Sequence, residues 1–310
     1  MHWLIKAALQ KTISCFPRTE KINYFFRRNL AKSLPLDEEA FLRMVDIGAR
    51  HYDKFLKYAP SDRLSTGAFY EFGTGWDLII PLLFFTLGIR SQVLVDITPN
   101  IHYELIHDTQ IKLLQIRHVL EKRFTRERIV NSLTEPINSM SDMKQRLGIT
   151  YLAPYDARNT SLPAESIDFI HSTSTLEHIE EEDIKKILHE CYRILKPGGI
   201  ISFLIDLKDH FSYSDTTLSH YNFLRYSSRK WNFLNSSINF QNRLRYPDYL
   251  RMINDAHFEI IEQHPERPDK GDCDELYKMK LSDRFSKDGT IEDVGVKTLW
   301  VVLRKHEKAA

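Results

Sequence analysis

Glycine is scarce in this chain of 310 residues, with only 11, so its positions carry information. Two of them form Gly73-Thr74-Gly75, directly behind the strand candidate Ala68-Phe69-Tyr70-Glu71-Phe72. A strand that ends in a tight glycine loop and opens a helix makes a ligand cradle, because glycine admits close backbone approach and the helix N-terminus offers free N–H groups. The dinucleotide fingerprint asks for a third glycine, and Leu78 stands there instead. Glu71 also sets a carboxylate beside the loop, where a pyrophosphate would be repelled. Both features favour an uncharged or cationic nucleoside. Asp96 lies 21 residues beyond Gly75 (96 − 75), at the end of the strand candidate Gln92-Val93-Leu94-Val95. An acid at that place accepts hydrogen bonds from both hydroxyls of a ribose. Asp156 ends a third strand candidate, Ile149 to Tyr155, and is placed to meet the exocyclic amine of adenine. Any one of these carboxylates reads equally well as a helix N-cap or a surface charge. Three at the carboxyl ends of successive strands point to one ligand.

The elements that must hold these residues alternate along the chain. Residues 1–65 have apolar positions at helical spacing, with Phe41, Met44, Val45, Gly48 and Tyr52 on one stripe. After the glycine loop, the apolar run Leu78 to Ile89 has Pro81 near its first turn and Gly88 at its end, as a helix should. A long helical stretch is expected over about 102–123, and a polar inserted helical element over 125–148. Ile167-Asp168-Phe169-Ile170 reads as a strand. Ile184, Ile187, Leu188, Cys191 and Leu195 repeat at helical spacing over 180–195, with charges opposite. Lys196-Pro197-Gly198-Gly199 should stop that helix and turn into the strand Ile200 to Ile205. Phe258 to Ile261 and Thr298 to Leu303 complete the set. Strands apolar on both faces, alternating with helices, predict an α/β fold: a doubly wound parallel sheet covered on both sides.

Glu71-Phe72-Gly73-Thr74-Gly75, Asp96, Tyr155-Asp156-Ala157, Ile167-Asp168-Phe169-Ile170, Leu176-Glu177-His178-Ile179 and Arg193-Ile194-Leu195-Lys196-Pro197-Gly198-Gly199 together resemble the ordered motifs of class I S-adenosylmethionine-dependent methyltransferases. The likeness covers roughly residues 67–205 and, more loosely, the last two strands. It implies a Rossmann-like seven-stranded sheet whose last strand is antiparallel, and S-adenosyl-L-methionine as cofactor. It assigns Glu71, Gly73 and Gly75 to the methionine end, Asp96 to the ribose, Asp156 and the Ala157 backbone to the adenine, and Ser172 and Ser174 to the donor's side. Trp76, Asp77 and the long insertion before Ile149 depart from the family pattern. The expected organisation is a helical segment 1–65, serving as lid or packing, and a methyltransferase domain 66–310 with insertions near 101–148 and 206–250.

Methyl transfer from a sulfonium is an in-line displacement, and a base is needed only when the acceptor must lose a proton. His171 falls in a strand and reads as a core histidine. His178 belongs to a motif piece shared across acceptor types and reads as a loop organiser. His210, at the ligand-binding end of the sheet, is the preferred base. Phe211, Tyr213, His220, Tyr221, Phe223, Tyr226 and Trp231 follow it, and either present rings to a sugar or pack an added helical lobe. The expected activity is therefore O-methylation of a small or glycan-like acceptor. The arrangement also resembles uncharacterised methyltransferases associated with bacterial surface-polysaccharide synthesis. Alternatives are a nicotinamide-dependent oxidoreductase and a non-catalytic binding module retaining the fold.

Composition narrows the classes further. With 43 Lys+Arg against 42 Asp+Glu, the chain lacks the basic field that non-specific nucleic-acid binding draws on, so no nucleic-acid partner is expected. The Arg/Lys groups at 122–128 and 225–230 read as solvated helix faces. Cys15, Cys191 and Cys273 lie far apart without ligand spacing, which suggests reduced thiols, a cytoplasmic location and no metal. The twelve residues Leu78 to Ile89 are too few to span a bilayer, so no transmembrane segment is expected. Trp3, Leu4, Ile5, Leu9 and Ile13 form an amphipathic face in residues 1–16, which either packs on its own protein or touches a membrane surface.

Overall fold

The computed structural model describes residues 2–14, 22, 24, 25, 28, 33–63, 66–124, 133–287 and 289–306. Cys15, the basic residues 125–128 and the first part of the expected 125–148 insertion therefore lie outside the described residues. Seven strands form one sheet in the order β3-β2-β1-β4-β5-β7-β6, with β1 Phe69–Phe72, β2 Gln92–Val95, β3 Ile149–Leu152, β4 Ile167–Thr173, β5 Leu195–Asp206, β6 Glu259–Pro265 and β7 Thr298–Arg304. β1 pairs in parallel with both β2 and β4, setting Glu71 level with Leu94 on one side and His171 on the other. β3 continues the parallel set beside β2. β7 runs against its neighbours: the Leu207 amide meets the Lys297 carbonyl, and the Gly198 amide meets the Lys305 carbonyl. The doubly wound sheet with its antiparallel last strand is as the sequence implies.

One expected boundary moved. Lys196 to Gly199 belong to β5 rather than to a turn, because the backbone of Gly198 and Gly199 bonds to Lys305, the residue after β7. Long-range pairing overrides the local turn chemistry of Pro-Gly-Gly.

The chain divides into two compact units. The larger comprises residues 24–172, 189–202 and 303–310. Its core is aromatic: Phe55 packs edge-on to Phe69, and Phe69 meets Phe84 and Phe169 at 5.3 and 4.9 Å. Helix α1, Glu38–Tyr58, starts at the cap Asp37, whose carboxylate accepts the Ala40 amide at 2.8 Å. Helix α2, Ile79–Thr86, is buried at every residue, as expected of a helix that is apolar all round. Gly48 lets the two helices approach closely, since a Cβ there would meet Leu83 at 3.0 Å and Ile80 at 3.2 Å. The expected 102–123 helix is two, α3 Tyr103–Gln115 and α4 Arg117–Phe124. The described part of the insertion holds a helical turn from Met140 to Leu147.

The other unit comprises residues 1–23, 173–188 and 203–302. Its N-terminal helix, Trp3–Ile13, buries Trp3 and Ala7 in a cluster with Phe211, Tyr221, Phe223, Trp231, Leu276 and Phe285. Of the expected face only Trp3 is buried, while Leu4, Ile5 and Leu9 are exposed; the side that packs is that of Trp3 and Ala7. No helix among the described residues is long and apolar enough to cross a membrane.

Candidate active site

In the larger unit, β1 delivers Glu71 to the sheet rim one residue before the glycine loop. Gly73 and Gly75 both take left-handed backbone, with φ of 74° and 82°. A Cβ built on Gly75 would meet nothing within 4 Å, so open space adjoins the loop. Leu78 is left-handed too, with φ of 55°, and caps α2 without a side-chain bond to its first amides. A conformation that suits glycine is thus imposed on a buried leucine, at a cost of about 1–2 kcal/mol.

Asp96, only 7% exposed, accepts the Gly75 amide on Oδ2 at 3.3 Å. Its carboxylate therefore braces the loop. Burial pushes its pKa up to about 7 against the opposing pull of hydrogen bonds from Gly75, Asn100 and Ile97. Glu71 is buried, and its Oε2 has no hydrogen-bond partner among the described residues. Burial raises its pKa well above the carboxylate range, and the neighbouring Asp96 charge adds to that. His171 stands 3.5 Å away, and burial lowers its pKa to about 3, so it offers no cation. His171 is the core histidine the sequence suggests. The result is a desolvated acidic rim with no positive partner among the described residues, beside open space at Gly75. These residues fit a cationic nucleoside.

The other expected donor residues are placed less simply. The Tyr155 amide bonds to the Asp96 carbonyl at 2.8 Å, bringing the third motif against the second. Asp156 itself is half-exposed and forked to Arg158, with Nη2–Oδ2 at 2.7 Å. The Ala157 backbone follows at intermediate burial. The Ser172 hydroxyl donates to the Phe72 carbonyl at 2.9 Å, tying the end of β4 to that of β1. Trp76 stacks with Tyr24 and His102, an aromatic group on the loop that no motif announced.

In the other unit, Ser174 is exposed with φ of 47° and donates its amide to Leu204. A single 3-10 turn, Leu176–His178, follows it and presents Glu177 and His178. His178 Nδ1 is 2.6 Å from the Phe240 carbonyl, which only accepts; Nδ1 therefore carries the proton and Nε2 the lone pair. Burial lowers the His178 pKa to about 4, with His210 contributing. Glu177 is 3% exposed, and neither carboxylate oxygen has a hydrogen-bond partner of full geometry. Burial raises its pKa strongly, and the nearby amides of Glu177 and Asp206 offset only part of this.

His210 follows the end of β5. Its Nε2 is 3.4 Å from Asp206 Oδ2, and its ring meets that of His178 edge-on at 4.9 Å. Burial works against ionisation of Asp206, yet His210, Lys208 and Tyr213 together hold its pKa below the usual range. Buried Gln241 straps this loop: its Oε1 accepts the His210 amide and its Nε2 donates to the Lys208 carbonyl, each at 3.0 Å. Trp231 and Asn235 in turn donate to the Gln241 carbonyl. Sequence reasoning singled out His178 and His210 but missed Glu177, Asp206 and Gln241 as their companions.

In the aromatic stretch four rings follow the packing alternative. Phe211, Tyr221, Phe223 and Trp231 are each no more than 3% exposed and form the core of this unit, so they offer no face to a sugar. Tyr213 is 53% exposed and donates its hydroxyl to Asp206.

Among families, the model described as a methyltransferase domain matches residues 118–203. That span includes Asp156, the Leu176–Ile179 turn and most of β5, while the glycine loop and Asp96 precede it. The strand order, with its antiparallel β7, agrees. Over those residues the chain matches a methyltransferase domain, on a Rossmann-like methyltransferase fold. Solved structures share its fold: a protein from Pyrococcus horikoshii OT3 aligns with a TM-score of 0.50 at 11% identity, covering 90% of this chain and 98% of that one. An S-adenosylmethionine-dependent methyltransferase from Methanosarcina mazei gives 0.46 at 10% identity, covering 82% and 98%. One from Mesorhizobium loti gives 0.44 at 15%, covering 84% and 100%. No curated protein matches the chain. With the methyltransferase-domain match over residues 118–203, S-adenosyl-L-methionine is the methyl donor of this enzyme.

Proposed function

We propose that this methyltransferase transfers its methyl group to an oxygen of a small or glycan-like acceptor. The observation that supports this is the imidazole of His210, whose Nε2 lacks a hydrogen-bond partner of full geometry and is backed by Asp206 at 3.4 Å. An alcohol must lose a proton as its oxygen attacks, whereas a neutral amine attacks without such help. A ring nitrogen beside a carboxylate that stays ionised suits that task. His178, whose Nδ1 proton is committed to Phe240, is the second candidate to contact the acceptor. Tyr213 offers the ring and hydroxyl that a sugar's apolar face and polar rim accept.

The donor assignments follow the rim of the larger unit. Asp96 accepts the ribose hydroxyls, Glu71 with Gly73 and Gly75 receives the methionine end, and Asp156 with the Ala157 amide meets adenine once Arg158 yields. Ser172 borders the donor by fixing the ends of β1 and β4. Bound there, the donor supplies an electrophilic methyl on a sulfonium, and the protein's part is to hold it and to remove the acceptor's proton. Leu78 in place of the third glycine of the dinucleotide fingerprint disfavours a nicotinamide cofactor.

The test is transfer of a deuteromethyl group from labelled donor to compounds in a cell extract, read by mass spectrometry. A labelled ether on a hydroxylated compound is expected. His210→Ala should lower turnover at saturating donor while donor affinity stays intact. A labelled amine or thiol as the sole product, or unaltered turnover in the variant, would overturn the oxygen assignment.

A further inference from the structure

Glu177, His178 and His210 place one carboxylate and two imidazoles around a common point, with ligating atoms all within 4.8 Å of one another. We propose that they form a binding site for a divalent transition-metal cation. Two histidines and a carboxylate are a donor set that Zn2+, Co2+, Fe2+ and Mn2+ accept.

Four observations converge on a ligand here. Glu177 is 3% exposed with both oxygens short of a partner, an arrangement costly to keep unless something cationic is meant to meet it. His178 donates Nδ1–H to the Phe240 carbonyl, the outer contact that fixes a metal-binding tautomer and turns Nε2 inward. His210 Nε2 is buried and likewise short of a partner. Asp206 Oδ2 lies 3.4 Å from that nitrogen and adds a carboxylate beside the three-residue group. The three principal donors must draw in from the 4.8 Å limit to meet one ion. The outer frame is rigid: Gln241 holds the His210 backbone, while Asn242 donates to the carbonyls of Leu176 and Ile179 on either side of Glu177-His178.

Existence of the site does not depend on the acceptor; its use in catalysis rests on the oxygen assignment above. A hydroxyl coordinated by the cation loses its proton to solvent more readily, and its oxygen then bonds the methyl carbon as the carbon–sulfur bond breaks and the sulfonium becomes a neutral thioether. In that case His210 serves as ligand rather than as base, and chelation abolishes turnover. If His210 acts alone, chelation changes nothing.

The experiment uses tag-free full-length protein stripped of metal, titrated with Mn2+ alone and followed by electron paramagnetic resonance of the free ion. Co2+ absorption serves as a second probe of imidazole ligation. One ion per chain is expected, with affinity lowered by more than about 100-fold in Glu177→Gln and in His210→Gln, since direct ligands matter more than their outer partners. His264→Gln, an exposed histidine paired with Glu262, should bind as the parent does. Should Glu177→Gln fail to fold, the His210→Gln comparison and the Co2+ spectrum decide. Absence of stoichiometric binding, or equal binding by parent and both ligand variants, overturns the site while leaving donor binding and methyl transfer untouched.

Discussion

Donor binding should be proton-linked through Asp96. In the free protein, burial holds this carboxyl near a pKa of about 7, so it is roughly half protonated at neutral pH. On the proposed assignment the ribose hydroxyls donate to the ionised form. One charge-assisted bond of about 1.5–3 kcal/mol would lower the pKa by roughly one to two units in the complex. The free protein then holds more protons than the complex, so affinity rises with pH and is lost as pH falls through about 7. From pH 8 to pH 6 the dissociation constant should increase about tenfold, with further steepening if Glu71 also releases a proton. Calorimetry with S-adenosylhomocysteine in two buffers of different ionisation enthalpy measures the released proton directly. Asp96→Asn should weaken binding at pH 8 by about 10- to 100-fold and remove one proton from the linkage. It should also spare the free protein a buried charge. Because the folded pKa lies above the unfolded one, Asp96 contributes stability at low pH that is lost as pH rises through about 7; the variant's melting temperature should therefore vary less over that range. An affinity that is flat from pH 8 to pH 6, or an Asp96→Asn protein with the parent's proton release, would refute the ribose assignment.

Two substitutions test the scaffolds of the units. Asp168 is 2% exposed and receives Lys196 Nζ on both oxygens, Arg63 Nε at 3.4 Å and the Ala68 amide at 2.8 Å. Asp168→Asn should cost about 2–4 kcal/mol by urea denaturation, the lower part of the range for a broken buried pair because both cations reach solvent; a loss under about 0.5 kcal/mol would place the pair among the inert ones. Arg245 is buried and donates to the carbonyls of Leu207, Val294 and Val296, at 2.6, 2.7 and 2.5 Å. Arg245→Met strands those acceptors and should cost at least about 2 kcal/mol even after relief of the buried charge, read as a lower thermal midpoint; an unchanged midpoint would show that water takes over the carbonyls.

Local signals carried the parts that depend on local physics. The 3.6-residue repeat of Ile184, Ile187, Leu188 and Cys191 predicted a helix over 180–195, and the structure has Glu181–Ile194. A helix must show its periodicity to its own core wherever that core lies. The glycine loop was legible because φ near 80° is a demand on one residue, and the carboxylates were legible because strand ends are marked by the loss of the apolar pattern. Leu78 shows the limit: its left-handed backbone is set by the turn into α2 and leaves no trace in its residue type.

What the sequence alone determined is the parallel sheet, its order of motifs and hence the methyl donor, since each motif is short and sits at the end of its own strand. Tertiary structure alone decided which side chains share a site. Glu177 and His178 are about thirty residues from His210 along the chain, and only the returns of β4 and β5 with the Gln241 and Asn242 struts bring them together. It also decided that Phe211, Tyr221, Phe223 and Trp231 face inward, a matter of which neighbours each ring finds. Desolvation is a property of surroundings rather than of residue type, and so the raised pKa values of Glu71, Asp96 and Glu177 appear only in the folded chain.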